Sequence, residues 1–250
     1  MEHQYWSLDS QGDVAIIRSH PHPRRTMTIG GAAQLLALLD ECAGRTPILP
    51  VVIEIDVDHA ELLEVQQMGA GRPIADWAPW VNVIAAIDSY PNLTIAAIPR
   101  QASCGGLELA LAADMRICRP DATLGLFETR MGILPGAGGT QRLPALVGYA
   151  HALEIILSGE PIDGQRAEKI GLVQRISDDP LTWAIQFAQR CSLNGSNVLI
   201  SAKRSVLASR NPDTSGFRLE GKTFLDLVNQ PFAKQRMAEW LANQDEQGVH

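Results

Sequence analysis

Hydrophobic residues recur with two different periods along the chain, and together they predict a protein that mixes strands and helices. Short runs rich in β-branched residues at 50–57 and 93–98 are typical of buried strands. Apolar positions spaced by three or four residues at 28–43 predict an amphipathic helix, which Gly44 is placed to end. Residues 5–8 and 14–18 predict an opening hairpin around a polar turn.

The same criteria predict the later elements. Further strands are expected at 115–118, 123–126 and 172–176. Helices are expected at 77–87, from 105, from near Thr140 after the glycine-rich run, and at 150–158, 163–170, 180–192, 196–208, 215–228 and 231–243. Strands that precede helices in this way indicate an α/β or α+β fold. We expect a core domain over 1–195 and a helical region over 196–250.

Composition narrows the function classes. The 250 residues are 46% hydrophobic and 20% charged, as in an ordinary globular protein, and the net charge of -7 argues against a general binder of nucleic acid or anionic membranes. The chain shows no secretory signal pattern and no apolar run of the ~20 residues that span a bilayer. The four cysteines form no CxxC pair and the six histidines are scattered, so we predict no metal site and a reducing cytoplasm.

One stretch concentrates the candidate chemistry. In IAAIPRQASCGGLELALAADMRIC, residues 95–118, a predicted strand leads into a helix that opens on Gly105 and Gly106, with Glu108 about one turn further on. A helix start offers unpaired N–H groups to a developing negative charge, and a nearby carboxylate can move protons. The alternative is that the glycines allow tight packing and that Glu108 is an acid favoured by the helix dipole.

The continuation ATLGLFETRMGILPGAGGTQRLPALVG, residues 122–148, carries a resemblance to a known family. Together the two stretches resemble the crotonase (enoyl-CoA hydratase/isomerase) superfamily, with its GGxxELAxxxD helix, G-x-x-E segment and PGxGGTQRL loop. The match is densest over 95–173. The resemblance implies an α/β fold built as a spiral of ββα units, with a C-terminal helical region that packs into homotrimers, often paired as hexamers.

The resemblance also implies the catalytic groups. Glu108 and Glu128 match the two glutamates of family hydratases, with Glu108 as the main partner of the attacking water and Glu128 as the proton donor to C2 of a 2-enoyl thioester. The backbone N–H groups of Ala60 and Gly105 would form the oxyanion hole. The loop before Ala60 is shorter than is usual, and His59 stands where glycine is common.

Further positions would bind substrate. By resemblance, Arg24 and Arg25 are candidate contacts to the phosphates of coenzyme A, although solvated arginines are the alternative. Leu62 begins the region that borders the acyl chain, and the backbone of Gly136 would line the site. Arg100, which follows Pro99 where the family commonly has Asn-Gly, is predicted either to form a surface ion pair or to contact a substrate phosphate.

These residues predict an acyl-CoA hydratase or dehydratase. Coenzyme A would be the carrier part of the substrate, with an acyl-carrier-protein thioester as an alternative, and no metal or redox cofactor is implied. A double-bond isomerase needs only one glutamate and is the second reading. A third is an accessory protein that binds acyl-CoA without turning it over.

Overall fold

The structure is a computed structural model that describes residues 5–20, 27–57, 64, 74–210, 231 and 235. The chain divides into two compact units, residues 1–196 and 197–250. In the described ranges, no helix has the length and apolar character needed to cross a bilayer. The predicted helices at 215–228 and 231–243 lie outside these residues, apart from the helical positions 231 and 235.

The larger sheet of the first unit is mostly parallel. Its strands are β1 (Trp6–Ser10), β2 (Ala15–Ser19), β3 (Val51–Glu54), β4 (Thr94–Ile98), β6 (Met115–Cys118) and β9 (Arg175–Ile176), in the order β1-β2-β3-β4-β6-β9. β1 and β2 form the predicted antiparallel hairpin, and the remaining neighbours pair in parallel.

A smaller sheet carries the start of the site. Its strands are β5 (Gln101–Ser103), β7 (Thr123–Gly125) and β8 (Ile162–Asp163). β5 pairs with β7 in parallel, and β7 pairs with β8 in antiparallel orientation. A strand of the larger sheet is therefore followed by a strand of the smaller one and then by a helix, which is the ββα order that the resemblance implies.

Helices cover both faces of the larger sheet. The helices of the first unit are α1 (Ile29–Ala43), α2 (Ala78–Asp88), α3 (Gly105–Ala112), α4 (Gly139–Ser158), α5 (Gly164–Lys169) and α6 (Pro180–Ser192), and α7 (Ser196–Ala208) follows along the chain. Alternate strand residues point to opposite faces: Ala15 and Ile17 pack with α1 and α2, whereas Val14 and Ile16 pack with α6. The parallel strands are thus buried on both sides, which explains their continuous apolar runs.

Two predicted regions differ in the structure. The helices predicted from near Thr140 and at 150–158 are the two parts of α4, which begins at Gly139 and bends at Gly148, where φ is 77° and ψ is 163°. The strand predicted at 172–176 is reduced to β9. Leu172 and Val173 donate their N–H groups to the carbonyl oxygen of Ala167, at 2.8 and 3.3 Å, so these residues close α5 instead of joining the sheet.

Arg116 on β6 supports the far end of α3. The residue is 1% exposed, and its guanidinium donates to the carbonyl oxygens of Ala113 at 2.8 Å and Leu172 at 2.8 Å. Burial lowers the pKa of Arg116 to about 10, which still leaves the group charged at neutral pH. A cation at the C-terminal end of a helix satisfies carbonyl groups that have no intrahelical partner.

Candidate active site

The turn between β5 and α3 places the start of the helix in the protein interior. Gly105 is the first residue of α3, and all eight residues of that helix are buried. Cys104, just before it, has φ 47° and ψ −125° and donates its N–H to the carbonyl oxygen of Gly125 at 2.8 Å. The first N–H groups of α3 have no carbonyl partner within the helix, as an oxyanion site requires.

A second backbone segment packs directly against this helix start. A Cβ atom on Gly106 would lie 1.9 Å from the carbonyl oxygen of Val57, so only glycine fits. Val57 also forms a parallel bridge with Ala102. The chain is therefore held beside the start of α3 three residues before Ala60. Ala60 itself lies outside the described residues, as do Arg24, Arg25 and Leu62.

Glu108 lies in the first turn of α3 and is held by the glycine-rich loop. The residue is 3% exposed, and its Oε1 accepts hydrogen bonds from the N–H groups of Ala137 and Gly139, both at 2.8 Å. Gly138 has φ 106°, which favours glycine and turns the chain into α4. The loop thus supplies two donors to one carboxylate oxygen, a role that the sequence did not reveal.

The environment of Glu108 has opposing effects on its ionisation. Burial is the largest effect and raises the pKa of Glu108, and the hydrogen bonds from Gly139 and Ala137 and the charge of Arg142 offset this rise only in part. Two N–H donors stabilise the ionised form of a carboxyl group. These contacts therefore suit a carboxylate that accepts a proton from water.

Glu128 begins a 3₁₀ turn, Glu128–Met131, that follows β7. The side chain is 5% exposed, and its Oε2 has no hydrogen-bond partner in the described part of the chain. Burial and, to a smaller extent, the charge of Glu108 raise the pKa of Glu128 to about 7, against the lowering effect of hydrogen bonds from its own backbone and from Cys104. At neutral pH a large fraction of Glu128 is protonated, so it can serve as an acid beside an ionised Glu108.

We expect the pKa of Glu128 to make the stability of the protein depend on pH. A carboxyl group whose pKa is higher in the folded than in the unfolded state stabilises the fold at low pH and loses this effect as pH rises through the folded value. The free energy of unfolding should therefore fall between about pH 5 and about pH 8 by at least about 1 kcal/mol more in the wild type than in Glu128→Gln. Urea unfolding at both pH values measures this difference. The prediction is contradicted if the free energy of unfolding changes by the same amount between the two pH values in the wild type and in Glu128→Gln.

The structure also locates Gly136 and Arg100. Gly136 precedes Ala137 in the loop that holds Glu108, and a Cβ atom there would meet no described atom within 4 Å. Arg100 forms an ion pair with Asp56, whose side chain is 7% exposed. This contact agrees with the ion-pair alternative for Arg100 and ties it to the end of β3. Within the described residues, no cluster of three or more His, Cys, Asp or Glu side chains could hold a metal ion.

Known proteins share both the sequence and the fold. Residues 60–245 match the family described as enoyl-CoA hydratase/isomerase. A probable enoyl-CoA hydratase of Bacillus subtilis (strain 168) is 31% identical over 239 residues, covering 91% of this chain and 92% of that protein. Methylglutaconyl-CoA hydratase of Rattus norvegicus is 50% identical over 102 residues, or 39% of this chain and 32% of that protein.

A solved structure extends the similarity to three dimensions. The crystal structure of enoyl-CoA hydratase from Bacillus anthracis is 27% identical, covers 97% of each chain and superposes with a TM-score of 0.85. This agreement confirms the predicted α/β crotonase fold. Because the family match covers most of the chain and the Bacillus subtilis relative aligns over nearly its full length, the chain belongs to the enoyl-CoA hydratase/isomerase family, the crotonase superfamily.

Proposed function

We propose that the protein catalyses the reversible addition of water to a 2-enoyl thioester of coenzyme A. The observation that carries this proposal is the pair of buried glutamates: Glu108 has two N–H donors on one oxygen, and Glu128 has a pKa raised to about 7 and an oxygen without a described partner. An acid and a base side by side are what hydration of a double bond needs.

The proposed reaction divides the proton transfers between the two groups. The ionised Glu108 takes a proton from water as the water oxygen bonds to C3, and the electron pair of the double bond moves toward the thioester carbonyl. The resulting enolate oxygen lies between the N–H groups of Gly105 and Ala60, and each such donor is worth about 3 to 4 kcal/mol. Glu128 then donates its proton to C2. Return of a proton from Glu108 to Glu128 restores the enzyme.

The proposed substrate carries its acyl group on coenzyme A, with Arg24 and Arg25 at the nucleotide phosphates, Leu62 at the acyl chain and the backbone of Gly136 along the site. No metal or redox cofactor takes part in this proposal. The same chemistry suits an acyl-carrier-protein thioester. Similarity to methylglutaconyl-CoA hydratase makes branched acyl groups worth including in any substrate panel. A cytoplasmic location stays a prediction.

The first test follows the absorbance of the conjugated thioester. Crotonyl-CoA, a longer 2-enoyl-CoA and 3-methylglutaconyl-CoA should each be offered as substrate, and a 3-enoyl-CoA should be added as the substrate of an isomerase. Loss of absorbance with at least one 2-enoyl substrate supports the proposal. Conversion of the 3-enoyl-CoA alone indicates the isomerase, and acyl-CoA binding without conversion of any substrate indicates an accessory protein.

We also propose that the protein forms homotrimers or hexamers, and that the second part of α4 contributes to the contact between subunits in addition to the C-terminal helical region that the resemblance implies. Tyr149, Leu153 and Leu157 follow the bend at Gly148 and lie on one face of this helix at a spacing of four residues, and Tyr149 is 80% exposed. Such an apolar stripe is typical of an interaction surface.

We expect Leu153→Glu to convert the assembly to monomers in sedimentation velocity, because a charged side chain in the stripe would oppose its burial between subunits. Leu193→Glu, at a more exposed leucine after α6, is the control and should leave the assembly intact. A Leu153→Glu protein with an unchanged assembly would contradict the proposal.

A further inference from the structure

Cys104 has a backbone conformation that a side chain rarely adopts. Within the described ranges it is the one residue other than glycine with a positive φ, which is 47° with a ψ of −125°. Glycine would take this conformation without steric conflict. Strained backbone conformations are concentrated at functional sites, so the strain at Cys104 suggests that its side chain has a function there.

The contacts of Cys104 connect the two glutamates. Its carbonyl oxygen accepts the N–H of Glu108 at 2.9 Å, and its N–H donates to Gly125, three residues before Glu128. Its thiol, in a side chain that is 2% exposed, forms a hydrogen bond with the carboxyl group of Glu128. Cys104 thus contacts the backbone of Glu108 through its main chain and the carboxyl group of Glu128 through its thiol.

We propose that Cys104 is a positioning residue whose thiol holds the carboxyl group of Glu128. In this arrangement Oε2 of Glu128, which has no described hydrogen-bond partner, is available to the substrate. This inference rests on the proposed role of Glu128 as the proton donor to C2. The thiol is a weak donor, so it orients the carboxyl group while a transferable proton is retained there at neutral pH.

The expected effect of the thiol on ionisation follows from the groups around Glu128. The titratable side chains that act on Glu128 within the described residues are Glu108, in α3, and Cys104, at its start, while Arg142 of α4 acts on Glu108. The negative charge of Glu108 favours the protonated form of Glu128. The thiol donor favours the ionised form, and its removal should therefore raise the pKa of Glu128.

Carbon-13 NMR of carboxyl-labelled glutamate tests this without relying on turnover, with Glu128→Gln used to assign the signal. We expect Cys104→Ala and Cys104→Gly to raise the pKa of Glu128 by about half a pH unit or more. Cys104→Ser, which restores a donor, should return it to the wild-type value or below. Cys191→Ser removes a thiol from α6, outside these contacts, and is the control that should leave the titration unchanged.

Thermal unfolding separates this role from a purely structural one. Because glycine relaxes the backbone at this position, Cys104→Gly should unfold at the same temperature as the wild type or higher, even though its Glu128 titrates differently. The proposal is overturned if Cys104→Ala leaves the pKa of Glu128 unchanged, or if serine fails to reverse the effect of alanine while the protein remains folded.

The pH dependence of kcat/KM provides the link to catalysis. Since Glu128 acts in its protonated form, activity should fall as pH rises through its pKa, and Cys104→Ala should move this fall to higher pH. A wild type without hydratase activity would contradict the proposed function but leave the NMR result intact. Normal activity with an unmoved profile in Cys104→Ala would contradict the role of Cys104 alone.

Discussion

Replacing Glu108 with glutamine is expected to lower kcat for hydration of a 2-enoyl-CoA by about 10²- to 10⁴-fold, the usual contribution of a positioned acid or base. The amide oxygen can still accept the N–H groups of Ala137 and Gly139, which hold Glu108 at 2.8 Å each. The fold should therefore persist while the group that takes the proton from water is lost. Initial rates from the thioester absorbance, with circular dichroism to verify folding, measure the effect.

Two further variants make this result specific. Glu128→Gln should lower kcat by a similar factor, because an amide cannot donate the proton that C2 requires. Glu41→Gln, at an exposed position in α1, removes a carboxyl group whose described ion pair is with Arg45 rather than with the site and should retain wild-type rates. A Glu108→Gln enzyme that keeps more than about one tenth of wild-type kcat would contradict its assigned role.

The second large effect is expected from Gly106→Ala. The added methyl group would lie 1.9 Å from the carbonyl oxygen of Val57, a backbone atom that cannot move aside as a flexible side chain would. The start of α3 and the chain that leads to Ala60 must then separate. Overpacking of this kind costs about 1 to 3 kcal/mol of stability or more, and a 1 Å misplacement at a site can lower the rate about 10²-fold.

Urea unfolding and initial rates measure the two consequences of Gly106→Ala together. Gly30→Ala is the matched control, because a Cβ atom there would make an ordinary contact at 3.5 Å with Thr28. We expect that control to match the wild type in activity. Wild-type stability and kcat in Gly106→Ala would show that the close packing of Val57 on α3 is not required.

Sequence patterns predicted the elements whose apolar period is long enough to recognise. The opening hairpin, α1 and the strands that became β3 and β4 lie close to their expected positions. The strands β5 and β8 have only three and two residues, too few for any period to stand out. The two parts of α4 were predicted as separate helices, one from near Thr140 and one at 150–158, and Gly148 between them has dihedral angles that are not helical.

The site was predicted in part, because some of its contacts depend only on local sequence. Glu108 could be placed near the start of α3 by helix geometry alone. The hydrogen bonds that Glu108 accepts from a loop 29 and 31 residues further along the chain depend on tertiary structure. The strained backbone of Cys104 and its bond to Glu128 carry no sequence signal beyond a side chain standing before two glycines. The hydrogen bond from Arg116 to the carbonyl oxygen of Ala113, at the end of α3, likewise depends on the packing of α3 against β6 and could not be predicted from the sequence.

The most direct test of the proposed reaction is isotope transfer from solvent. The protein should be incubated with a 2-enoyl-CoA in water enriched in oxygen-18 and, separately, in deuterium oxide, and the product analysed by mass spectrometry. Addition of water by Glu108 and Glu128 predicts a 3-hydroxyacyl-CoA that carries one solvent oxygen at C3 and one solvent-derived hydrogen at C2. A converted product without the oxygen label would contradict hydration.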